Sequence, residues 1–181
     1  MYSWLFYLFS AAELSELFGQ LGYIFKPEHI SKNIDYYLQR TSNGSSLSWI
    51  IHAWAATRQD REHSWQFFQE SLKTDVADIQ GGTTPEGIHL GAMAGCIDLV
   101  QRCYPGLEAR GQVLRFNPRF PGELRQLHMH LHYRGHWLEL AISREKLKIE
   151  SLTCGAAPVE IEVKGHRFSF KEGKVKEIEL N

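Results

Sequence analysis

The chain has 181 residues, of which 43% are hydrophobic and 23% charged, a balance typical of a globular protein rather than a disordered or collagen-like one. A net charge of -1 excludes an overall basic field that would attract nucleic acid or an acidic membrane. Residues 1–107 hold 7 Lys+Arg and 11 Asp+Glu, whereas residues 108–181 hold 13 and 10. This change of sign predicts a boundary between regions 1–107 and 108–181.

The first nine residues, Met1–Phe9, are apolar, which raises the question of a targeting or membrane segment. They lack a basic start, and a membrane span needs about 20 such residues, so we expect a buried helix end. Cys96 and Cys103 lie two turns apart in a predicted helix, roughly 10 Å, which is too far for a disulfide. We therefore expect reduced thiols and a cytoplasmic protein.

Apolar residues at spacings of three and four predict five helices joined by short links in region 1–107. Leu14, Leu17, Phe18 and Leu21 form the apolar stripe of the first, and Trp65, Phe68 and Leu72 that of the fourth. The predicted helices run from Ala11 to Leu21, Pro27 to Arg40, Ser48 to Thr57, Asp60 (as cap) through Leu72, and about Pro85 to Tyr104. The last contains the small residues Gly91, Ala92, Ala94 and Gly95, which permit close contact between helices.

After Pro105–Gly106 the apolar period changes to two, which is typical of strands. The predicted strands are Leu124–Tyr133, Trp137–Ile142, Lys146–Leu152, Val159–Val163, Arg167–Phe170 and Val175–Leu180. Turn signals separate them at Arg134–Gly135, Cys154–Gly155, Lys164–Gly165 and Glu172–Gly173. The sequence therefore predicts an α+β protein whose second region is a small antiparallel β-sandwich.

The segment Asp78-Ile-Gln-Gly-Gly-Thr-Thr-Pro-Glu-Gly-Ile-His89 has the composition of an anion-binding loop. Its glycines allow close backbone approach to a ligand, and Thr83 and Thr84 add hydroxyls. Pro85 is expected to open a helix whose free N–H groups favour an anion, with His89 on the first turn. Thr83 and Glu86 also fit a capping box, so binding and simple capping both remain open.

A second hydroxyl-rich turn, Thr41–Ser48, precedes another predicted helix. Most such turns are caps. Two hydroxyl-rich helix starts, however, can converge on one ligand.

Three alternating histidines, His128, His130 and His132, are expected on one strand face, with His136 past the turn. Such a run can bind zinc or nickel, but it lacks a placed carboxylate or cysteine. A solvated polar face is the favoured interpretation, and no metal is predicted. Trp49, Trp54 and Trp65 are at helical spacing, which favours core packing over sugar stacking.

The string from Asp75 to Gly95, Asp-Val-Ala-Asp-Ile-Gln-Gly-Gly-Thr-Thr-Pro-Glu-Gly-Ile-His-Leu-Gly-Ala-Met-Ala-Gly, closely resembles a signature of glycoside hydrolase family 65. Leu5–Leu14, Thr41–Ser48 and Arg115–Arg119 resemble the same family. The family includes maltose, trehalose and kojibiose phosphorylases and related hydrolases. The resemblance implies the final helices of an (α/α)6 catalytic barrel, followed by the family's C-terminal β-domain.

The resemblance also implies a reaction. Family phosphorylases protonate the glycosidic oxygen with a glutamic acid while inorganic phosphate, their co-substrate, attacks the anomeric carbon of an α-linked disaccharide with inversion. No other cofactor is implied. The two loops above would form the phosphate site, which implicates Ser45 and Ser46 in the first loop and Gly82, Thr83, Thr84 and His89 in the second. In hydrolase members a carboxylate base activates water, and Glu86 is the nearby candidate.

The chain also departs from the family pattern. The general-acid glutamate lies upstream of where this chain begins, and Asn43 stands where the family usually has histidine. General acid catalysis typically contributes about 10²–10⁴-fold, so we expect the chain to be inactive alone. A partial barrel would expose apolar patches. The expected partner is an N-terminal chain carrying the rest of the barrel, or a second copy; the alternative is a free-standing sugar- or phosphate-binding or oligomerisation module.

Overall fold

The computed structural model describes residues 5, 8–40, 45–57, 60–78, 87–153 and 155–180. They belong to two compact units, Met1–Leu99 and Val100–Asn181. The first unit is helical and the second is built of strands, so the predicted α+β class is confirmed. Within the described residues, no helix has the length and apolarity needed to cross a bilayer.

Five α-helices make up the described part of the first unit, here called the helical unit. They are α1 (Ala11–Gln20), α2 (Pro27–Leu38), α3 (Ser46–Ala56), α4 (Arg61–Lys73) and α5 (Leu90–Asp98), and a π-helical stretch, Leu99–Cys103, follows α5. Local chemistry fixes their starts: Ser10 and Glu13 form a capping box at α1, and Asp60 accepts two N–H groups at the start of α4. All five predicted helices are therefore present.

The central helix of this unit is α3, which is buried along most of its length, including Ile50, Ala53 and Trp54. It packs against α4 and α5. A Cβ added to Gly95 in α5 would lie 2.6 Å from Cγ2 of Ile50, which is closer than real Cβ contacts. The predicted close contact between helices is thus confirmed at Gly95, where only glycine fits.

Several apolar residues of the helical unit are exposed. Leu17, Leu21 and Leu72, predicted to lie on buried stripes, are among them. Leu5 and Leu8 are exposed as well, while most of the expected buried helix end, Met1–Phe9, lies outside the described residues. Tyr23, Ile24, Val76, Ile88 and Leu90 are also exposed, as a partial barrel requires.

The second unit, here called the sandwich unit, has eight described strands in two sheets. They are β1 (Glu108–Arg110), β2 (Val113–Phe116), β3 (Gln126–Tyr133), β4 (His136–Ser143), β5 (Lys146–Ser151), β6 (Val159–Val163), β7 (His166–Phe170) and β8 (Val175–Glu179). The sheet orders are β1-β2-β6-β7 and β3-β4-β5-β8. Inward side chains of both sheets, such as Phe116, Ile149 and Ile161, form one buried cluster, as a two-layer sandwich requires.

One strand pair differs from the antiparallel prediction. Strands β2 and β6 pair in parallel, with Leu114 opposite Ile161, while the other pairs are antiparallel. Strands β1 and β2 had not been predicted. They have three and four residues, and three of the four β2 residues are buried, so no alternation marks them.

Candidate functional site

The start of α5 is held by Asp75, which follows the end of α4. The main-chain N–H of His89 donates to the Asp75 carboxylate, with N–O distances of 3.2 Å to each oxygen. The ring atom Nδ1 of His89 lies 2.5 Å from Oδ1 of Asp75. This double contact fixes the imidazole, and Nε2 of His89 has no hydrogen-bond partner among the residues described.

Both residues of this pair are half-buried. The His89 side chain is 23% exposed and that of Asp75 only 13%. The hydrogen bond from the His89 side chain holds the pKa of Asp75 below its ordinary value, with further lowering by the His89 main-chain N–H and by charge, against an opposing effect of burial. Asp75 is thus a carboxylate in the folded chain.

A second pair, Asp60 and His63, makes the same kinds of contact but in a local setting. Nδ1 of His63 lies 2.8 Å from Oδ2 of Asp60, and the His63 N–H donates to Oδ1 at 3.1 Å. These residues are three positions apart at the N-cap of α4. The His63 side chain is 64% exposed and that of Asp60 49%. Asp75 and His89 are 14 positions apart, so their contact is tertiary rather than a local helix cap.

The starts of α3 and α5 lie next to each other. A Cβ added to Gly91 would be 3.6 Å from Cδ1 of Leu47, and one turn later Gly95 meets Ile50, so the two helices run side by side from their first turns. Ser45 is the N-cap of α3, its hydroxyl accepting from the Leu47 N–H at 3.4 Å. Two helix N-termini at one place favour an anion there, because the positive ends of both helix dipoles lie together.

Ser46, the first residue of α3, is buried. Four other predicted site residues, Gly82, Thr83, Thr84 and Glu86, lie outside the described residues, as does Asn43.

The start of α5 differs from its prediction. The helix begins at Leu90 with His89 as N-cap, rather than at Pro85 with His89 on the first turn. The physical reason is that Gly87 has φ +105°, outside the helical region, and that Asp75 takes the N–H of His89. The N-cap of α5 is thus His89, and the capping box predicted for Thr83 and Glu86 lies outside the described residues.

Three polar side chains near the Asp75–His89 pair, Ser71, Thr74 and Cys96, are buried. The Ser71 hydroxyl and Cys96 thiol are 3.2 Å apart, and the buried Thr74 hydroxyl has no hydrogen-bond partner within the part of the chain that the structure describes. Burial raises the pKa of the Cys96 thiol, and the nearby Asp75 charge raises it further, against the effect of the Ser71 hydrogen bond. Cys96 is thus a protonated thiol in the folded chain, and Cys154 lies outside the described residues.

Asp75 was missed by sequence reasoning. It stands at the start of the Asp75–Gly95 string, but no local pattern connects it to His89. Its position in this family-like string was the only sequence feature that could have marked Asp75 as a site residue.

The histidines of β3 have the environment expected of a polar face. His128, His130 and His132 are exposed, and no group of three potential metal ligands occurs in the described part of the chain. His136 instead is buried, with Nδ1 2.8 Å from the Ser151 hydroxyl and Nε2 2.8 Å from the Ala157 carbonyl oxygen.

Core packing is confirmed for one of the three helical tryptophans, while Trp49 and Trp65 are half-buried. Trp54 is buried. Trp49 lies against Phe67 and Trp65 against Phe68, with ring centroids 5.9 and 5.2 Å apart.

Comparison with protein families identifies both units. Residues 4–98 match the glycosyl hydrolase family 65 central catalytic domain, and residues 107–170 match the family 65 C-terminal domain. The chain belongs to glycosyl hydrolase family 65. The predicted resemblance is confirmed.

Several family members are similar over most of this chain. An uncharacterized glycosyl hydrolase from Mycobacterium tuberculosis is 48% identical over 90% of the chain, which covers 12% of that protein. The trehalose 6-phosphate phosphorylase of Lactococcus lactis is 31% identical over 79% of the chain, and the kojibiose phosphorylase of Caldanaerobacter subterraneus 34% identical over 76%. The chain spans 19% and 18% of these two phosphorylases.

A solved structure shares the fold. A putative kojibiose phosphorylase from the human microbiome superposes with a TM-score of 0.72 at 23% identity, over 86% of this chain and 20% of the other.

Proposed function

We propose that the helical unit supplies the phosphate-binding part of a family 65 active site that acts on α-linked glucosyl disaccharides. The observation that carries this proposal is the Asp75–His89 pair at the start of α5, directly after the glycine- and threonine-rich segment. In this proposal Nε2 of His89 contacts phosphate, together with Ser45, Ser46, Gly82, Thr83 and Thr84.

The chemistry of the pair suits a phosphate ligand. Asp75 accepts from Nδ1–H, which orients the ring and leaves Nε2 toward the ligand. A neutral ring then accepts the proton of a phosphate hydroxyl, and a charged ring donates to a phosphate oxygen. The adjoining starts of α3 and α5 add N–H groups and the positive ends of two helix dipoles. Asp75 thus acts as a positioning residue.

The named relatives support phosphate as the co-substrate. Two of the similar proteins are phosphorylases, one for trehalose 6-phosphate and one for kojibiose. In a hydrolase version of the same site, Glu86 would be the base that activates water. Catalysis further needs a carboxylic acid that protonates the leaving sugar oxygen, which we assign to a segment other than this chain.

Phosphate binding can be tested on the chain itself by NMR titration with inorganic phosphate. We expect saturable shifts at Ser45, His89 and the Gly81–Thr84 amides. His89→Ala should abolish them and Asp75→Asn should weaken them, because Asn cannot hold the Nδ1–H tautomer as a carboxylate does. His63→Ala and Asp60→Asn are the matched controls, since that exposed pair makes the same contacts away from the site. Undiminished binding by His89→Ala would refute the proposal.

The need for a separate acid can be tested by activity. The purified chain should release no glucose 1-phosphate from maltose, trehalose or kojibiose with phosphate. Turnover by the chain alone would show that it contains its own acid.

A second candidate function, oligomerisation, is favoured by the exposed apolar side chains of the helical unit, among them Ile24, Val76 and Leu90. It predicts a stable dimer by light scattering and no phosphate-dependent shifts. Ile24→Glu together with Val76→Glu should then give a monomer. A monomeric wild-type chain that binds phosphate would exclude this alternative.

A further inference from the structure

The outer face of the β3-β4-β5-β8 sheet carries an exposed aromatic residue, Trp137. Its side chain is 54% exposed, although indole is among the most costly groups to leave in water. The ring of His132, directly across from it on β3, is 4.8 Å away between centroids. Trp137 is thus held against one neighbour while much of its surface stays open.

A hollow lies beside this tryptophan on the same face. Ala141 sits between His128 on β3 and Lys148 on β5 in the strand register, and its small side chain leaves space between those longer ones. The resulting cavity has a volume of about 290 Å³. It is lined by the donors His128, His130 and Lys148 and by the acceptors Glu139 and Glu150. Such a mixture suits a ligand that both donates and accepts hydrogen bonds.

The two carboxylates of the hollow are direct cross-strand neighbours, Glu139 opposite Glu150. Like charges in this position destabilise a sheet. Lys148 lies 3.1 Å from Glu150, and His130 lies 3.5 Å from Glu139, so the repulsion is only partly offset by exposed groups. Fold stability therefore gives no reason for this pair, whereas ligand binding does.

We propose that this face, with Trp137 and the hollow at Ala141, is a carbohydrate-binding site separate from the phosphate site. The indole would lie under the apolar face of a pyranose ring, and Glu139 and Glu150 would accept from sugar hydroxyls while Lys148 and the histidines donate. Glu139 is the next same-face residue after Trp137 on β4, roughly 7 Å along the strand. The strip formed by indole and hollow suits two linked sugar rings. Its carboxylates disfavour an anionic ligand such as phosphate.

Titration of the full chain with maltose, followed by ¹H–¹⁵N NMR, tests this site. We expect saturable shifts at the Trp137 indole N–H and at the His128 and His130 amides. Trp137→Ala should weaken this binding about tenfold, which corresponds to roughly 1.4 kcal/mol. Trp137→Phe should retain most of it, because a flat apolar ring remains. Tyr36→Ala, which removes an exposed aromatic ring of the helical unit, is the control that leaves these shifts unchanged.

Glu139→Gln is a second, independent test, because this substitution leaves the indole of Trp137 in place. It should weaken maltose binding several-fold while the dispersion of the NMR spectrum stays that of the folded chain. Inorganic phosphate should not shift the Trp137 indole signal. The proposal is overturned if maltose causes no shifts on this face, if they do not saturate, or if both Trp137→Ala and Glu139→Gln bind as tightly as the wild type.

Discussion

The two units of this chain differ in how completely each buries its apolar side chains. In the sandwich unit, 12 residues from the two sheets and the chain's last described segment form one cluster, each at most 3% exposed. In the helical unit, Ile50, Ala53 and Leu99 are buried as deeply, yet Ile24 is 84% exposed and Val76 81%. The sandwich encloses its own core, whereas the helices bury one side and leave another open.

This difference matters for function because the Asp75–His89 pair belongs to the more open unit. Its neighbour Leu90 is 76% exposed at the very start of α5. Elements with few buried apolar contacts open at lower free energy than a closed core does. We therefore expect the candidate phosphate site to be the less stable part of the chain, and its ligand to stabilise the helices more than the sandwich.

The largest effect should come from isoleucines of matched size in the two units. Ile161→Ala, in the sandwich core, should lower the free energy of unfolding by about 2–5 kcal/mol, because a buried side chain is replaced by a cavity. Ile24→Ala should change it by less than about 0.5 kcal/mol, since that residue is exposed. Urea unfolding followed by fluorescence measures both. Equal losses would contradict the proposed difference between the units.

A smaller change in stability should distinguish a glycine packed between helices from a glycine on the helix surface. Gly95→Ala should destabilise the helices by about 1–3 kcal/mol, because the new Cβ meets Ile50. Gly19→Ala in α1 has nothing within 4 Å and should stabilise by roughly 0.5–1 kcal/mol through helix propensity. Far-UV circular dichroism during thermal unfolding records both changes. If both substitutions act alike, α3 and α5 are not in close contact.

Gly95 also illustrates how much of the helix packing could be predicted from the sequence. Small residues in α5 predicted close packing, but the partner Ile50 lies 45 positions away and no local pattern names it. The Asp75–His89 contact was missed for the same reason. Regular alternation identified β3 to β7 because the inward side chains of each are buried or half-buried, whereas short β2 and its parallel pairing with β6 depend on tertiary contacts alone.

His136 shows that the spacing of histidines does not by itself give the sheet face on which each one lies. A two-residue turn pairs Tyr133 with His136, so His136 shares the inward face of Tyr133 rather than the outward face of His132. The sequence placed His136 past the turn, which is confirmed, but it made no prediction of the face on which this residue lies. The loop Gly82–Thr84 stays a prediction, because it lies outside the described residues.

A smaller effect, specific to the helical unit, should appear at low pH. The folded-state pKa of Asp75 lies below its unfolded value, so the pair contributes stability above the ordinary carboxyl pKa of about 3.9. That contribution is lost as the pH falls toward the lowered folded-state pKa. Asp75→Asn should be less stable than the wild type near neutral pH and should lose less stability on acidification. Urea midpoints across the acidic range test this, with Asp35→Asn on α2 as control; parallel curves for wild type and Asp75→Asn would refute it.

The smallest effect belongs to the outer face of the sandwich unit. Glu139→Gln removes a like charge opposite Glu150 and gives up only a 3.5 Å contact with His130, so it should stabilise the sheet by a few tenths of a kcal/mol. The gain should shrink as salt screens the repulsion. Glu150→Gln is a useful comparison, because it also loses the 3.1 Å contact with Lys148 and should gain less. Urea midpoints at low and high salt measure these differences. A clear destabilisation by Glu139→Gln would mean that this carboxylate supports the fold. A stabilisation together with weaker maltose binding would mean that the carboxylate is retained for the ligand at a small cost in stability.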